Sequence, residues 1–309
     1  MKARLLTALI FSMFIINSFG QGNGDIIARA PVLFPPYTSV KDISWYYDEG
    51  TYNDAINDKS VTYERITYSS DGLKVIAFMA APIEKSDKNL PVIIFNRGSF
   101  VRNDIAFVHA PLFQKFVHNG FIVVAPALRQ SEGGEGKDQL GGEDINDILN
   151  LWPLLEKLSR VDLNNVFMLG ESRGGIMTYL SLKNKVKVRA AATIGAITDL
   201  EAYIADRPWD ESNLKKLWNN YDSQKKEILE HRSVMAWYDS IRTPMLILHG
   251  GKDPQVKPQH ALQLAQAFSA KGQPYELHIF SDGNHILSGA ETDTRDAMVI
   301  GWFRKFVQK

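Results

Sequence analysis

Ser172, Asp253 and His285 have the residue types, and occur in the chain order, needed for nucleophilic acyl transfer. A serine hydroxyl is a poor nucleophile at neutral pH. It needs a base within hydrogen-bond reach, and that base needs an acid to fix its tautomer and stabilise its cation. Ser172 stands in Gly170-Glu171-Ser172-Arg173-Gly174-Gly175, a G-x-S-x-G pattern. The pattern is short enough to arise by chance in any glycine-rich turn, so its surroundings have to decide what it means.

Those surroundings are a strand, a sharp turn and a helix. Val166-Phe167-Met168-Leu169 precedes the pattern as an apolar run, and Ile176-Met177-Thr178-Tyr179-Leu180 follows it as a helix-compatible one. Gly170 and Gly174 let strand and helix approach closely around a raised nucleophile. Asp253 follows the apolar strand Met245–His249, and His285 follows the strand Tyr275–Phe280. Each of the three residues thus falls just past the C-terminal end of a strand, where open α/β sheets build their sites.

Competing assignments are weaker on position. Asp253 alone reads as a turn aspartate before the helix begun by Pro258. Asp282 lies only three residues before His285 and is expected to organise that loop. His249 and His278 fall within strands and are expected to be core imidazoles, whereas His109, His118, His231 and His260 read as helix-surface residues. The oxyanion formed on acyl attack needs fixed donors. The backbone N–H of Arg173 at the helix start should be one, and the backbone around Gly98 or Ser99, after the strand Val92–Phe95, the other. Arg97, Arg129 and Trp209 are candidates for substrate contact, with Arg97, Arg129 and Arg173 suited to holding a carboxylate.

The elements that must position these residues alternate along the chain. A hairpin, Val61–Tyr68 and Leu73–Met79 around Asp71-Gly72, starts the sheet antiparallel. Strands at Val92–Phe95, Phe121–Ala125, Val166–Leu169, Ala190–Ile194, Met245–His249 and Tyr275–Phe280 then alternate with helices at Ile105–His118, Asp144–Leu158, from Arg173, at Gln259–Ala270 and at Asp293–Val307. The pattern predicts an α/β fold with a mostly parallel sheet of about eight strands and helices on both faces. The stretch from about Asp199 to Ile241, with Trp209, Trp218, Tyr221, Trp237 and Tyr238, breaks the alternation and predicts a helical cap of two or three helices. Residues 21–60 read as an extended N-terminal arm whose aromatics, Trp45, Tyr46 and Tyr47 among them, face the core. One catalytic domain over 61–309 with an inserted cap is the simplest organisation.

Composition bounds the rest. At 309 residues and 45% apolar content the chain can bury a substantial core. Its 35 basic residues balance 35 acidic ones, so no global field recruits nucleic acid or an anionic membrane. Met1-Lys2-Ala3-Arg4, the apolar run Leu5–Ile16 and the small residues to Gly20 read as a signal peptide over 1–20, too short for a membrane anchor. Its removal leaves 33 basic against 35 acidic residues, and a secreted or periplasmic protein is expected. Cysteine is absent, which removes disulfides, thiolate chemistry and Cys-based metal sites. Ser212–Lys215 and Ser223–Lys226 match S-x-x-K without the companion motifs. Glu143, Asp144 and Asp147 read as complementing a helix N-terminus. No phosphate-binding glycine pattern follows the first parallel strand. No cofactor and no metal are expected.

On these motifs the chain resembles the α/β-hydrolase fold and, within it, the catalytic domains of the prolyl oligopeptidase family of serine peptidases. Gly170–Gly175 is similar to that family's G-x-S-x-G-G elbow. His249-Gly250-Gly251-Lys252-Asp253-Pro254-Gln255-Val256 is similar to its acid loop, and Gly283-Asn284-His285 to its histidine loop. Arg129–Gly136 and Gly141–Asp147 resemble the stretch leading to the elbow. The resemblance runs from about Val61 to the C-terminus and implies a serine hydrolase acting on a small molecule or short peptide. Two features depart from the family: the arm is too short for the β-propeller of larger members, and Asn96-Arg97-Gly98-Ser99 lacks the tyrosine donor of some of them. A carboxylesterase for small or sugar acyl esters is therefore the alternative substrate class, and a non-catalytic α/β-hydrolase binding module the alternative of another kind.

Overall fold

Asp71 and Gly72 close the first hairpin with positive φ values of 52° and 78°. Two consecutive left-handed residues match the twist of the strands they join. They register β2 (Val61–Ser70) against β3 (Leu73–Pro82) over its full length. The computed structural model describes residues 22–84, 88–99 and 102–308; the signal peptide expected over 1–20 lies outside them.

β1 (Ile26–Pro31) pairs antiparallel with the outer side of β2, so the arm contributes a strand rather than only an extended tail. Half-exposed and ending in Pro31, it is an edge strand without a clean apolar alternation, which is why period-2 reasoning passes over it. α1 (Glu49–Asn57) follows, capped by Asp48 accepting from the Thr51 N–H.

The remaining strands are β4 (Leu90–Asn96), β5 (Ile122–Pro126), β6 (Val161–Glu171), β7 (Ala191–Ile194), β8 (Met245–Gly250) and β9 (Tyr275–Phe280). The sheet has nine strands in the order β1-β2-β3-β5-β4-β6-β7-β8-β9, and the six from β5 to β9 in that order are parallel. The order reverses between β4 and β6, which opens a crevice at their C-terminal ends.

Alternate residues of each central strand feed two cores. Val92, Ile94, Val166 and Met168 pack under α3 (Asn146–Leu149), α4 (Leu151–Leu155), α5 (Arg173–Lys183) and α9 (Gln259–Ala270). Ile93, Phe95, Phe167 and Leu169 pack under α2 (Ile105–His118) and α10 (Thr292–Lys305). Strands buried on both faces read as continuous apolar runs, as these do. The helix expected over Asp144–Leu158 is broken at Asn150. Pro153 has no N–H to give the Leu149 carbonyl, so the chain restarts at Leu151 with Pro153 in the first turn.

The insertion forms three helices, α6 (Leu200–Asp206), α7 (Pro208–Lys215) and α8 (Tyr221–Arg232). Their apolar faces join Ile176 and Leu180 of α5 and Leu140 in a third cluster. This seats the cap at the end of the sheet where β6 delivers Ser172.

Candidate active site

Ser172 follows β6 and precedes α5 with φ 53° and ψ −118°. A non-glycine residue in this region is strained, and its surroundings must hold it there. They do so through close backbone approach. A Cβ on Gly170 would lie 2.4 Å from the Gly174 carbonyl oxygen, and one on Gly174 would lie 1.8 Å from the Asn96 oxygen. Neither position admits a side chain. The Ser172 N–H donates to the Ile194 carbonyl at 2.8 Å. Asn96 donates to Thr178 at 2.9 Å, which ties the end of β4 to α5.

The three residues expected from sequence meet here. The Ser172 hydroxyl is 2.8 Å from His285 Nε2, and His285 Nδ1 is 2.7 Å from Asp253 Oδ2. Asp253 can only accept, so Nδ1 carries the imidazole proton and Nε2 is left to receive that of the serine. Asp253 Oδ1 accepts from the N–H groups of Gln255 and Val256 at 2.8 and 2.9 Å. Its Oδ2 also faces His249 Nε2 at 3.2 Å, a group that donates to the Val256 carbonyl at 2.8 Å. Burial alone would raise the Asp253 pKa. The hydrogen bonds from His249 and His285 outweigh it and hold this carboxyl well below the usual range.

Beside Ser172, Arg173 opens α5, and its N–H is one of the donors a helix start leaves unbonded. Gly98 abuts Ser172: a Cβ there would lie 3.4 Å from the Ser172 Cβ. Ser99 has φ 59°.

Arg97, expected to meet substrate, instead lies under this loop and is 1% exposed. Its guanidinium donates to the carbonyls of Gly98 at 3.0 Å and Ser99 at 2.7 Å, to Ala127 and to the Ser131 hydroxyl. Arg173 reaches the same Ser99 carbonyl at 3.2 Å while pairing with buried Asp138 and Asp144 at 2.7 and 3.1 Å. Burial and the neighbouring Arg173 charge lower the Arg97 pKa to about 9.

Two other substrate assignments are corrected. Arg129 is buried against Asp147 at 2.9 Å and reaches Asp71 at 3.0 Å, which holds the hairpin turn rather than a ligand. Trp209 is 63% exposed and does not line the cavity at Ser172; its ring instead takes the Arg207 guanidinium. Asp144 and Asp147 stand in first helical turns as expected, and there they also pair with the buried guanidinium groups of Arg173 and Arg129.

The histidine assignments divide. His285 and His249 stand as expected, but His278 is exposed on β9, while His109 and His260 are buried. The signal for His260 was in the sequence, since His260, Ala261, Leu264, Ala265 and Phe268 form one stripe of α9. Asp282 is exposed and pairs with Lys252.

A cavity of about 640 Å³ opens over Ser172. The cap side supplies Leu140, Ile197, Leu200, Tyr203, Arg207 and Leu214. The opposite wall comes from the arm, which brings Asp42, Ser44, Trp45 and Tyr46. Sequence reasoning gave the arm aromatics to the core. Tyr47 is buried as expected, but Trp45 is 66% exposed and Tyr46 faces the cavity.

Residues 110–309 match the prolyl oligopeptidase family, more than half of the chain. The chain belongs to that family. An uncharacterized peptidase of Bacillus subtilis, YtmA, is 25% identical over 240 residues, covering 77% of this chain and 92% of that protein. Dipeptidyl-peptidase 5 of Porphyromonas endodontalis is 25% identical over 236 residues, covering 70% of this chain but 33% of that one. In fold, the chain is similar to the Pyrococcus horikoshii acylaminoacyl peptidase, with a TM-score of 0.69 at 19% identity, over 84% of this chain and 44% of that chain. It is likewise similar to a puromycin-hydrolyzing peptidase of Mycobacterium tuberculosis, at a TM-score of 0.68 and 20% identity, over 76% of this chain and 37% of that chain. The chain thus spans nearly all of the Bacillus protein and less than half of the other three. The family match and these neighbours agree with the α/β-hydrolase fold read from the motifs.

Proposed function

We propose that this chain is an exported serine peptidase that cleaves short peptides through an acyl-enzyme on Ser172. The observation that carries the reading is the continuous hydrogen-bonded chain from Ser172 through His285 to Asp253, at 2.8 and 2.7 Å, with Ser172 and His285 lining the cavity. Ser172 attacks the scissile carbonyl as His285 Nε2 takes its proton. His285 then returns that proton to the leaving amine, and Asp253 stabilises the imidazolium in between. Water repeats the sequence in reverse to release the acid.

The negative oxygen of the tetrahedral intermediate is held by the Arg173 N–H and, in this reading, by the Ser99 N–H. A peptide unit is planar and trans. The hydrogen bond from Arg97 to the Gly98 carbonyl therefore turns the Ser99 N–H to the opposite side.

Replacing Ser172 by Ala should lower kcat about 10⁶-fold. A rate panel of aminoacyl and prolyl amides against short acyl esters separates peptidase from carboxylesterase, and labelling of Ser172 by a fluorophosphonate separates both from a binding module. Wild-type rates in Ser172→Ala would end the reading. Export rests on the residues Met1–Gly20, and sequencing the amino terminus of protein recovered from outside the cytoplasm tests it: a retained Met1 would refute cleavage.

A further inference from the structure

Glu171 is the last residue of β6 and immediately precedes Ser172. It is 3% exposed and lines the same cavity as Ser172. Among the described residues, no hydrogen bond or ion pair engages its carboxylate, and neither of its oxygens is sealed from the cavity. A carboxylate so enclosed loses most of its hydration without recovering it from protein donors.

The neighbouring cations are already committed. Arg102 donates twice to Asp104, at 2.6 and 2.8 Å. Arg295 is held by Asp296 at 2.8 Å and by the Ile286 carbonyl at 2.7 Å, with the Tyr47 hydroxyl at 3.4 Å. His285 serves Ser172 and Asp253. The cavity's other arginines, Arg173 and Arg207, are likewise paired, with Asp138 and Asp144 and with Asp210, while the arm wall adds the carboxylate of Asp42, the Ser44 hydroxyl and the rings of Trp45 and Tyr46, groups that attract a cation. Among the described residues, no group of three or more His, Asp or Glu side chains is placed to hold a divalent metal there.

We propose that Glu171 is the anionic subsite for a primary ammonium group of the substrate, on the arm side of Ser172. The inference deepens the peptidase reading, on which it rests for calling the ligand a substrate. An ammonium would supply the charge-assisted hydrogen bonds the carboxylate lacks, in a largely buried wall where solvent screens them less than at the surface.

Binding to the full chain carrying Ser172→Ala, measured by calorimetry, tests this without requiring turnover. The probes are two matched pairs of tetra-alanine amides. One pair has its amino terminus free or acetylated; the other, acetylated throughout, carries lysine or norleucine at the third position. In at least one pair the cationic member should bind about 10- to 100-fold tighter. Adding Glu171→Gln should erase that preference, and adding Glu171→Asp should retain it in weakened form. Equal binding within both pairs overturns the subsite. So does a preference that survives Glu171→Gln, or failure of every cationic member to bind at millimolar concentration. Hydrolysis by the wild-type chain is scored separately, so the peptidase reading and the ammonium subsite can fail independently.

Discussion

Two buried charged clusters flank Ser172. On one side Asp253, His249 and His285 are joined by hydrogen bonds that end on the Ser172 hydroxyl. On the other, Arg97 and Arg173 are joined to Asp138 and Asp144 and end on the carbonyls of Gly98 and Ser99. Both clusters carry the desolvation cost of buried charge. In the proposed function the first would convert it into proton transfer, whereas the second fixes the shape of a loop. Partners rather than burial decide the difference: a carboxylate that faces an imidazole can tune a base, whereas a guanidinium that faces carbonyl oxygens can only orient peptide planes.

The sharpest break in this comparison should come from the first cluster. Asp253→Asn keeps the volume but removes the fixed tautomer, and kcat should fall by about 10⁴; steady-state rates on an activated amide measure it. Arg97→Met tests the second cluster. If the guanidinium sets the Ser99 peptide, kcat should fall by about 10² to 10³, the usual loss for one oxyanion donor, with KM little changed. A fall confined to KM would return Arg97 to the substrate and undo the comparison.

Stability against pH sharpens it further, because Asp253 and Glu171 carry opposite signs. The folded pKa of Asp253 lies below the unfolded value of about 3.9. Its ionised form therefore stabilises the fold above about pH 4, and that contribution is lost as pH falls through the folded value. Burial raises Glu171, against the nearby Arg295 and His285 charges. Its ionisation costs nothing below its unfolded value of about 4.3 and costs most above its folded value. Melting temperatures should thus show Asp253→Asn below wild type near pH 7, with the gap closing in acid. Glu171→Gln should lie above wild type near pH 8 and converge with it in acid. The smallest effect belongs to the cap rim: Trp209→Ala should change kcat/KM by less than about threefold, as an exposed contact outside the cavity would.

Much of this site was legible from local patterns. The strand before Ser172 and the helix after it are continuous apolar runs of the right lengths, and the glycines around it mark close approach. Asp253 and His285 were found by chain order, because a parallel sheet with helical crossovers puts every strand's C-terminal end at one edge. The edge strand β1 and the break at Asn150 were less visible, since one has little apolar signal and the other depends on a single proline. His109 carried a readable clue: α2 is apolar on nearly every side, so no residue at its middle could face water.

The charged residues were the least legible, and for a definite reason. A guanidinium reads the same in sequence whether it meets substrate, a carboxylate or a carbonyl. Only the folded chain brings Arg97 under its own loop, Arg129 against Asp147 and the arm's Trp45 and Tyr46 to the wall facing the cap. The sequence by itself determined the fold class and the three residues of the hydrogen-bonded chain, because strand and helix periodicity and loop position are local properties. Tertiary structure alone decided which arginines are structural, which wall the arm supplies and that the Glu171 carboxylate stands unpaired beside the nucleophile, because those depend on contacts between segments far apart in the chain.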